Sequence, residues 1–204
     1  MKYLITLVMS TTLLVSSCAQ SQSKLVGGPC EGCEAVNNYG DRLLKATDTI
    51  VGFNKRPDKI WISGTVYKND AKTPAENVIL YIYHTDHTGR YPNRPSSKGW
   101  EKRHGYLRTW LKTDAKGHYE FYTTRPASYP NSTIPQHIHI TVKEPEVNAY
   151  YIEDFYFADD PNITPNILNR AKPRGGSGVI HLKKNGDFKI ARRDIILGLN
   201  IPNY

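Results

Sequence analysis

The chain is poor in cysteine, and after its first residues it has no long apolar run. Each shortage closes off a class of function. Only three cysteines stand among 204 residues, at positions 18, 30 and 33. A zinc site built on Cys30 and Cys33 needs a second Cys or His pair at ligand spacing, and none follows. A thioredoxin-type role for the same pair wants a βαβ setting, which is also absent. No segment beyond the leader is long and apolar enough to cross a bilayer as a helix. The phosphate-loop pattern is missing, and Gly175-Gly176-Ser177-Gly178 lacks the spacing of a nucleophile elbow. No repeat or low-complexity tract appears. The formal charge is +8, but no nucleic-acid module accompanies it, so a solvated basic surface is expected, with no nucleic acid as partner.

What is present begins with a leader. Met1-Lys2 gives a short positive region and Tyr3 to Val15 a mostly apolar one. Leu14-Val15-Ser16-Ser17-Cys18 then resembles a bacterial lipobox, with cleavage before Cys18 and lipid on its thiol; the alternative is an ordinary secretory cleavage site. The expected organisation is a lipoprotein signal over 1–17, a lipid-anchored tether over 18–28 and a single domain over 29–204. Loss of Lys2 takes the charge from +8 to +7. Export implies a cell-envelope location, held by the anchor in the periplasm-facing or outer membrane. It also implies an oxidising compartment, in which Cys30 and Cys33 are expected to close a disulfide loop.

From Lys59 the pattern is that of strands. Alternation and turn signals predict Lys59–Tyr67, Asn77–His84, Tyr106–Lys112, His118–Thr123, Gln136–Lys143 and Tyr151–Ala158. A last hairpin is predicted from Gly178–Leu182 and Asp187–Arg192. A turn or two of helix is expected within 35–45, and loops over 85–100 and 159–177. Short strands at this spacing predict an all-β antiparallel β-sandwich.

The stretch with most chemistry runs from Ser128 to Ile140. His137 and His139 are two apart in a strand-period run, so both imidazoles face one way while Ile138 and Ile140 face the other. Two such rings suit a metal ion or simply stand on a wet strand face. Tyr129 lies eight residues before His137.

Further motifs stand in order: Gly64-Thr65-Val66-Tyr67, Asp86-x-x-Gly89-x-Tyr91, Thr113-Asp114-x-x-Gly117-x-Tyr119-x-Phe121, Pro126-x-x-Tyr129 and His137-Ile138-His139. With these in view the chain resembles the intradiol ring-cleavage dioxygenases, the family of catechol 1,2- and protocatechuate 3,4-dioxygenases, in a secreted lipoprotein branch. The resemblance implies a prealbumin-like sandwich and one non-haem Fe(III) held by Tyr91, Tyr129, His137 and His139. It implies O2-dependent cleavage of a catechol between its hydroxyl-bearing carbons, giving a muconate-type diacid. Tyr129 is the ligand expected to yield to substrate and take up a proton. Where the family carries Arg before Pro-x-His-x-His, this chain has Ile134, so Ile134 and Gln136 are expected to line the substrate site. Arg108, or else Arg125, is the candidate replacement cation. The four ligands are expected to meet at one end of the sandwich.

Two other readings compete. One is a non-catalytic ligand- or carbohydrate-binding module on the same sandwich, which the Ile134 substitution favours. The other is a two-His zinc or copper hydrolase with Asp86 as carboxylate. His84 and His87 are expected to be polar strand-end residues, and Tyr119, Tyr122, Tyr150, Tyr151 and Tyr156 packing residues.

Overall fold

The computed structural model describes residues 24–204, so the 1–17 signal and Cys18 lie outside the described residues. The part of the 18–28 segment within them is docked rather than free. Lys24 donates its amide to Glu146 O, Val26 is 3% exposed and Gly27 donates to Pro202 O. A buried Val near the segment's end gives it an apolar reason to dock.

Twelve strands follow in chain order: β1 (Thr47–Thr49), β2 (Lys59–Tyr67), β3 (Ile79–Tyr83), β4 (Arg108–Lys112), β5 (His118–Thr124), β6 (His137–Lys143), β7 (Tyr150–Tyr151), β8 (Phe155–Phe157), β9 (Val179–Ile180), β10 (Lys183–Asn185), β11 (Phe188–Arg192) and β12 (Ile195–Ile196). Among the described residues two short helices interrupt them, α1 (Gly99–His104) and α2 (Pro165–Leu168), and 3-10 turns span Cys33–Asn37 and Phe53–Lys55. The first sheet has the order β1-β5-β2-β11-β10, with β12 also on β2. The second has the order β4-β3-β6-β8-β9, with β7 also on β6. Two stacked sheets with little helix make the chain a β-sandwich, as its alternation predicts.

The central pairings β2–β5, β3–β4 and β3–β6 are antiparallel, while β1–β5, β11–β2, β12–β2 and β8–β9 are parallel. The expected last hairpin is split between sheets. β11 pairs antiparallel with β10, whereas Val179–Ile180 joins β8 in the other sheet. The loops expected over 85–100 and 159–177 hold the start of α1 and all of α2.

Strict alternation builds the core. On β2 every second residue is buried, and Ile60, Ile62 and Val66 meet Tyr119 and Phe121 of β5. From the second sheet come Leu80, Ile82, Ile138, Ile140, Val142, Phe155 and Phe157. Each such side chain contributes roughly 1.5–3 kcal/mol on burial. The opposite face of that sheet is also covered. Ala35 and Val36 of the 3-10 turn pack on Tyr81 and Trp110, and Trp110 Nε1 donates to Ala35 O at 3.1 Å. Cys30 and Cys33 are joined by a disulfide, Cα to Cα 5.6 Å, at the start of this cover.

Candidate metal centre

β6 carries the site on its outer face. Register sets Tyr83 opposite both His139 and Arg108, so these three share one side of the second sheet, while Ile138 and Ile140 point into the core. The centre therefore lies on the outer face of a sheet, at the end where β3 stops and β6 begins. The reason is the two-residue strand period: with Ile138 and Ile140 claimed by the core, His137 and His139 must face outward.

Two loops bring the tyrosines to that face, and they are tied to each other. After β3, the Asp86 carboxylate accepts from Thr88 N and Thr88 Oγ1 and, at 3.3 Å, from Arg90 N. Asp86 O accepts from Ala127 N, and Thr85 Oγ1 donates to Ala127 O. Gly89, at φ +75°, lies so close to the second loop that a Cβ there would sit 1.9 Å from Ser128 O. Only a residue without a side chain permits that approach. Tyr91 and Tyr129, each two residues from this seam or nearer, arrive together.

Their oxygens meet the imidazoles. Tyr91 Oη lies 2.5 Å from Tyr129 Oη and 2.8 Å from His139 Nε2. Tyr129 Oη lies 3.1 Å from His139 Nε2 and 3.3 Å from His137 Nε2, and the two Nε2 atoms are 3.1 Å apart. Ligands at 2.0–2.2 Å from one ion stand roughly 2.8–3.6 Å from each other at right to tetrahedral angles. Four of these five separations fall in that range, and the shorter phenol–phenol contact is a hydrogen bond between the two hydroxyls. The donor set fits a small, highly charged cation.

Each imidazole presents its Nε2 because its Nδ1 is occupied. His137 Nδ1 is 2.7 Å from Pro135 O, and His139 Nδ1 is 3.1 Å from Asp154 Oδ2. Burial pushes the Tyr91 phenol well above its ordinary pKa, and the Tyr129 hydrogen bond adds to it. Burial likewise raises Tyr129 and lowers His137, where nearby His139 adds to the effect. Phenols kept protonated by burial are a set that a bound cation would invert, by drawing off their protons.

The remaining candidates are elsewhere. Arg108, the first proposed cation, is not brought to the cluster: it pairs with Glu101 at 3.1 Å, lies over the Trp110 ring and is separated from His139 by Tyr83. Arg125 is taken up by Gln136 Oε1 at 2.5 Å and Asp159 at 2.9 Å. Gln136 thus faces Arg125, and Ile134 is 48% exposed, leaving room at its position. His84 is buried between Thr85 O and Thr123 Oγ1. Asp86 is consumed by its turn, so the hydrolase reading with Asp86 as ligand fails. Among the described residues, the carboxylate grouped with the two histidines is Asp154.

Asp154 was not legible as a site residue, and neither was Tyr83, whose ring stacks on His139 at 4.5 Å and on His104 at 4.0 Å. Also missed was a cleft of about 610 Å³ on the Asp154 side of His139, bordered by the Cys30–Gly32 loop, Tyr151, Arg170, Lys172 and Arg174. It reaches His139 but not the two tyrosines. A signal for Asp154 exists only once register is known, since β6–β8 pairing sets it opposite His139.

A β-sandwich whose outer sheet face gathers two phenols and two imidazoles presents a donor set that suits one metal ion. The chain belongs to the intradiol dioxygenase family, a family of non-haem iron enzymes: the family model described as Dioxygenase matches residues 39–187. Over 122 residues the chain is 26% identical to the protocatechuate 3,4-dioxygenase beta chain of Burkholderia cepacia, a match spanning 57% of this chain and 52% of that one. The chain thus spans about half the length of this curated relative. Catechol 1,2-dioxygenase from Pseudomonas arvilla C-1 superposes with a TM-score of 0.57 at 15% identity, over 78% of this chain and 58% of that one. The dioxygenase domain of a dioxygenase carbohydrate-binding protein fusion from Streptomyces sp. SirexAA-E gives 0.53 at 19% identity, over 73% and 85%. At these identities the superpositions speak for the fold.

Proposed function

We propose that this chain is an intradiol dioxygenase that uses Fe(III) held by Tyr91, Tyr129, His137 and His139 to open a catechol-type ring with O2, giving a muconate-type diacid. The observation that carries this reading is the convergence of four donor atoms, from two loops and one strand, at separations of 2.5–3.3 Å. When bound, the ferric ion supplies a Lewis acid and a template for catechol and O2. The protein's own contributions are distinct. His137 and His139 are fixed by their Nδ1 partners and hold their positions throughout. Of the two phenol oxygens, Tyr129 Oη is the one within reach of all three other donors, and it is the oxygen placed to accept a catechol proton. Tyr91 is the more buried phenol and is expected to stay in place. Tyr83 stacks on the His139 ring and Tyr156 lies against His137.

The absent arginine at Ile134 is the feature that favours the binding-module alternative. Metal analysis and colour decide between them. Purified protein is expected to hold one iron per chain, to be red-brown from phenolate-to-iron charge transfer and to consume O2 with catechol. His137→Ala should lose most of the iron. Zinc without iron, or an unchanged iron content in His137→Ala, rejects the assignment. Because Ile134 is exposed, Ile134→Arg fits, and it should raise kcat on simple catechols more than it changes KM, since the charge it answers develops in the transition state. We also propose that Cys18 is lipidated and anchors the chain to the cell envelope; intact mass without diacylglycerol on an N-terminal cysteine rejects this.

A further inference from the structure

Among the described residues, Asp154 is the carboxylate grouped with the two histidines, and nothing in the four-ligand reading uses it. Its position is set by the sheet. β6 and β8 pair antiparallel with His137 opposite Tyr156 and Ile138 opposite Phe155, and one further step sets His139 opposite Asp154. Side chains opposite each other in a sheet share a face, so the carboxylate stands beside the imidazole. Asp154 Oδ2 lies 3.1 Å from His139 Nδ1.

The backbone beneath it has little freedom. A Cβ on Gly178 would sit 2.0 Å from Asp154 O, and Tyr156 N donates to Gly178 O at 2.9 Å, so the chain at Gly178 is pressed against the start of β8. Asp154 and His139 are each 22% exposed in their side chains, partly shielded from water and bordering the cleft. A carboxylate held there is a stronger acceptor than water.

The two nitrogens of His139 point away from each other. Nε2 faces Tyr91, Tyr129 and His137, while Nδ1 faces Asp154. An ion at Nε2 therefore cannot also be bound by a carboxylate behind Nδ1. His137 offers the contrast, since its Nδ1 faces the neutral carbonyl of Pro135 at 2.7 Å. One imidazole is backed by a carbonyl and the other by a carboxyl group.

Resting on the ferric reading, we propose that Asp154 is the positioning residue of His139. Its carboxylate accepts the Nδ1 proton, holds the ring in the tautomer that turns Nε2 to the centre, and makes that nitrogen the stronger donor of the two. Outer partners of this kind orient metal-binding histidines and raise their basicity. The added negative charge also makes the ferric ion a poorer electron acceptor, so phenolate-to-iron charge transfer needs more energy with Asp154 than without it.

Three readouts on wild type, Asp154→Asn and Asp154→Ala test this. Asn keeps the shape and an acceptor oxygen but not the charge; Ala removes both. In the metal-free proteins, the imidazole 15N shifts of His139 should report a fixed Nδ1–H tautomer in wild type and a mixed one in Asp154→Ala. Iron affinity should fall on the order of 10–100-fold in Asp154→Ala and less in Asp154→Asn. The visible band of ferric Asp154→Asn should move to longer wavelength, a shift that a purely structural role has no reason to produce. A coloured wild type whose band and iron affinity are unchanged in both variants overturns the proposal. Loss of metal in both variants as complete as in His137→Ala also overturns it, by making Asp154 a ligand. A wild type that takes up no iron is a failure of the ferric reading instead, and the metal-free 15N spectra then decide alone: a mixed tautomer in wild type overturns the Asp154–His139 coupling.

Discussion

At the scale of single residues, Gly89 shows how much of the centre depends on backbone alone. It carries no chemistry, yet the tyrosine loops meet only because nothing projects from it toward Ser128 O. Gly89→Ala forces an L side chain into left-handed backbone, at about 1–2 kcal/mol, and adds a collision with a carbonyl. The expected result is a protein less stable by about 2 kcal/mol or more, with markedly weaker iron binding; chemical denaturation and metal titration measure both, and wild-type values in each reject the seam as the organiser. The residues written as short motifs were the legible ones. Asp86, Gly89, Tyr91, Tyr129 and the His pair stand at spacings that can be read directly. Asp154 was not, because its relation to His139 exists only through the β6–β8 pairing. Arg108 misled for the converse reason: it is on the correct face, but Glu101 and Trp110 had already claimed it.

At the scale of elements, pattern located the long strands to within about two residues, most cleanly β2 and β5, which have one buried face and one wetter one. It failed at the C-terminal end. Gly178–Leu182 and Asp187–Arg192 read as a hairpin from a plausible turn between them, but β9 is only two residues long and is drawn to β8 in the opposite sheet. Short edge strands carry too little pattern to announce a partner. The disulfide loop belongs to this scale as well. It leads into the 3-10 turn that covers Tyr81 and Trp110, and it borders the cleft beside His139. Closing so short a loop contributes about 2 kcal/mol by chain entropy. Replacing both Cys30 and Cys33 by Ser should lower stability by that amount in urea unfolding, with the β-sheet circular dichroism retained. No change in stability rejects the loop as a staple.

At the scale of the whole molecule, the buried His84 sets a limit in acid. Burial lowers its pKa from 6.5 to about 4, with hydrogen bonding to Thr85 working the other way. The unfolded chain therefore binds a proton at a higher pH than the folded one. Stability is fully present above pH 6.5 and falls as pH drops toward 4, by about 2 kcal/mol at pH 5 and about 3 at the end of the window. Urea unfolding at pH 8 and pH 5 should show this loss, and His84→Gln should show correspondingly less of it; an equal loss in the variant assigns the acid limb to other groups.

The outer-face position of the centre bears on how such a protein changes over generations. On β6 the side chains that enter the inner core and those that gather at the centre lie on opposite sides of the strand, so no residue of that strand serves both. Substitutions of His137 or His139 therefore leave the inner core untouched, and selection on that core does not remove them. A lineage can exchange a ligand, an outer carboxylate or a substrate-facing arginine one at a time while still producing a folded protein at full abundance. Ile134, at an exposed position where the family carries a cation, is a substitution of that permitted kind.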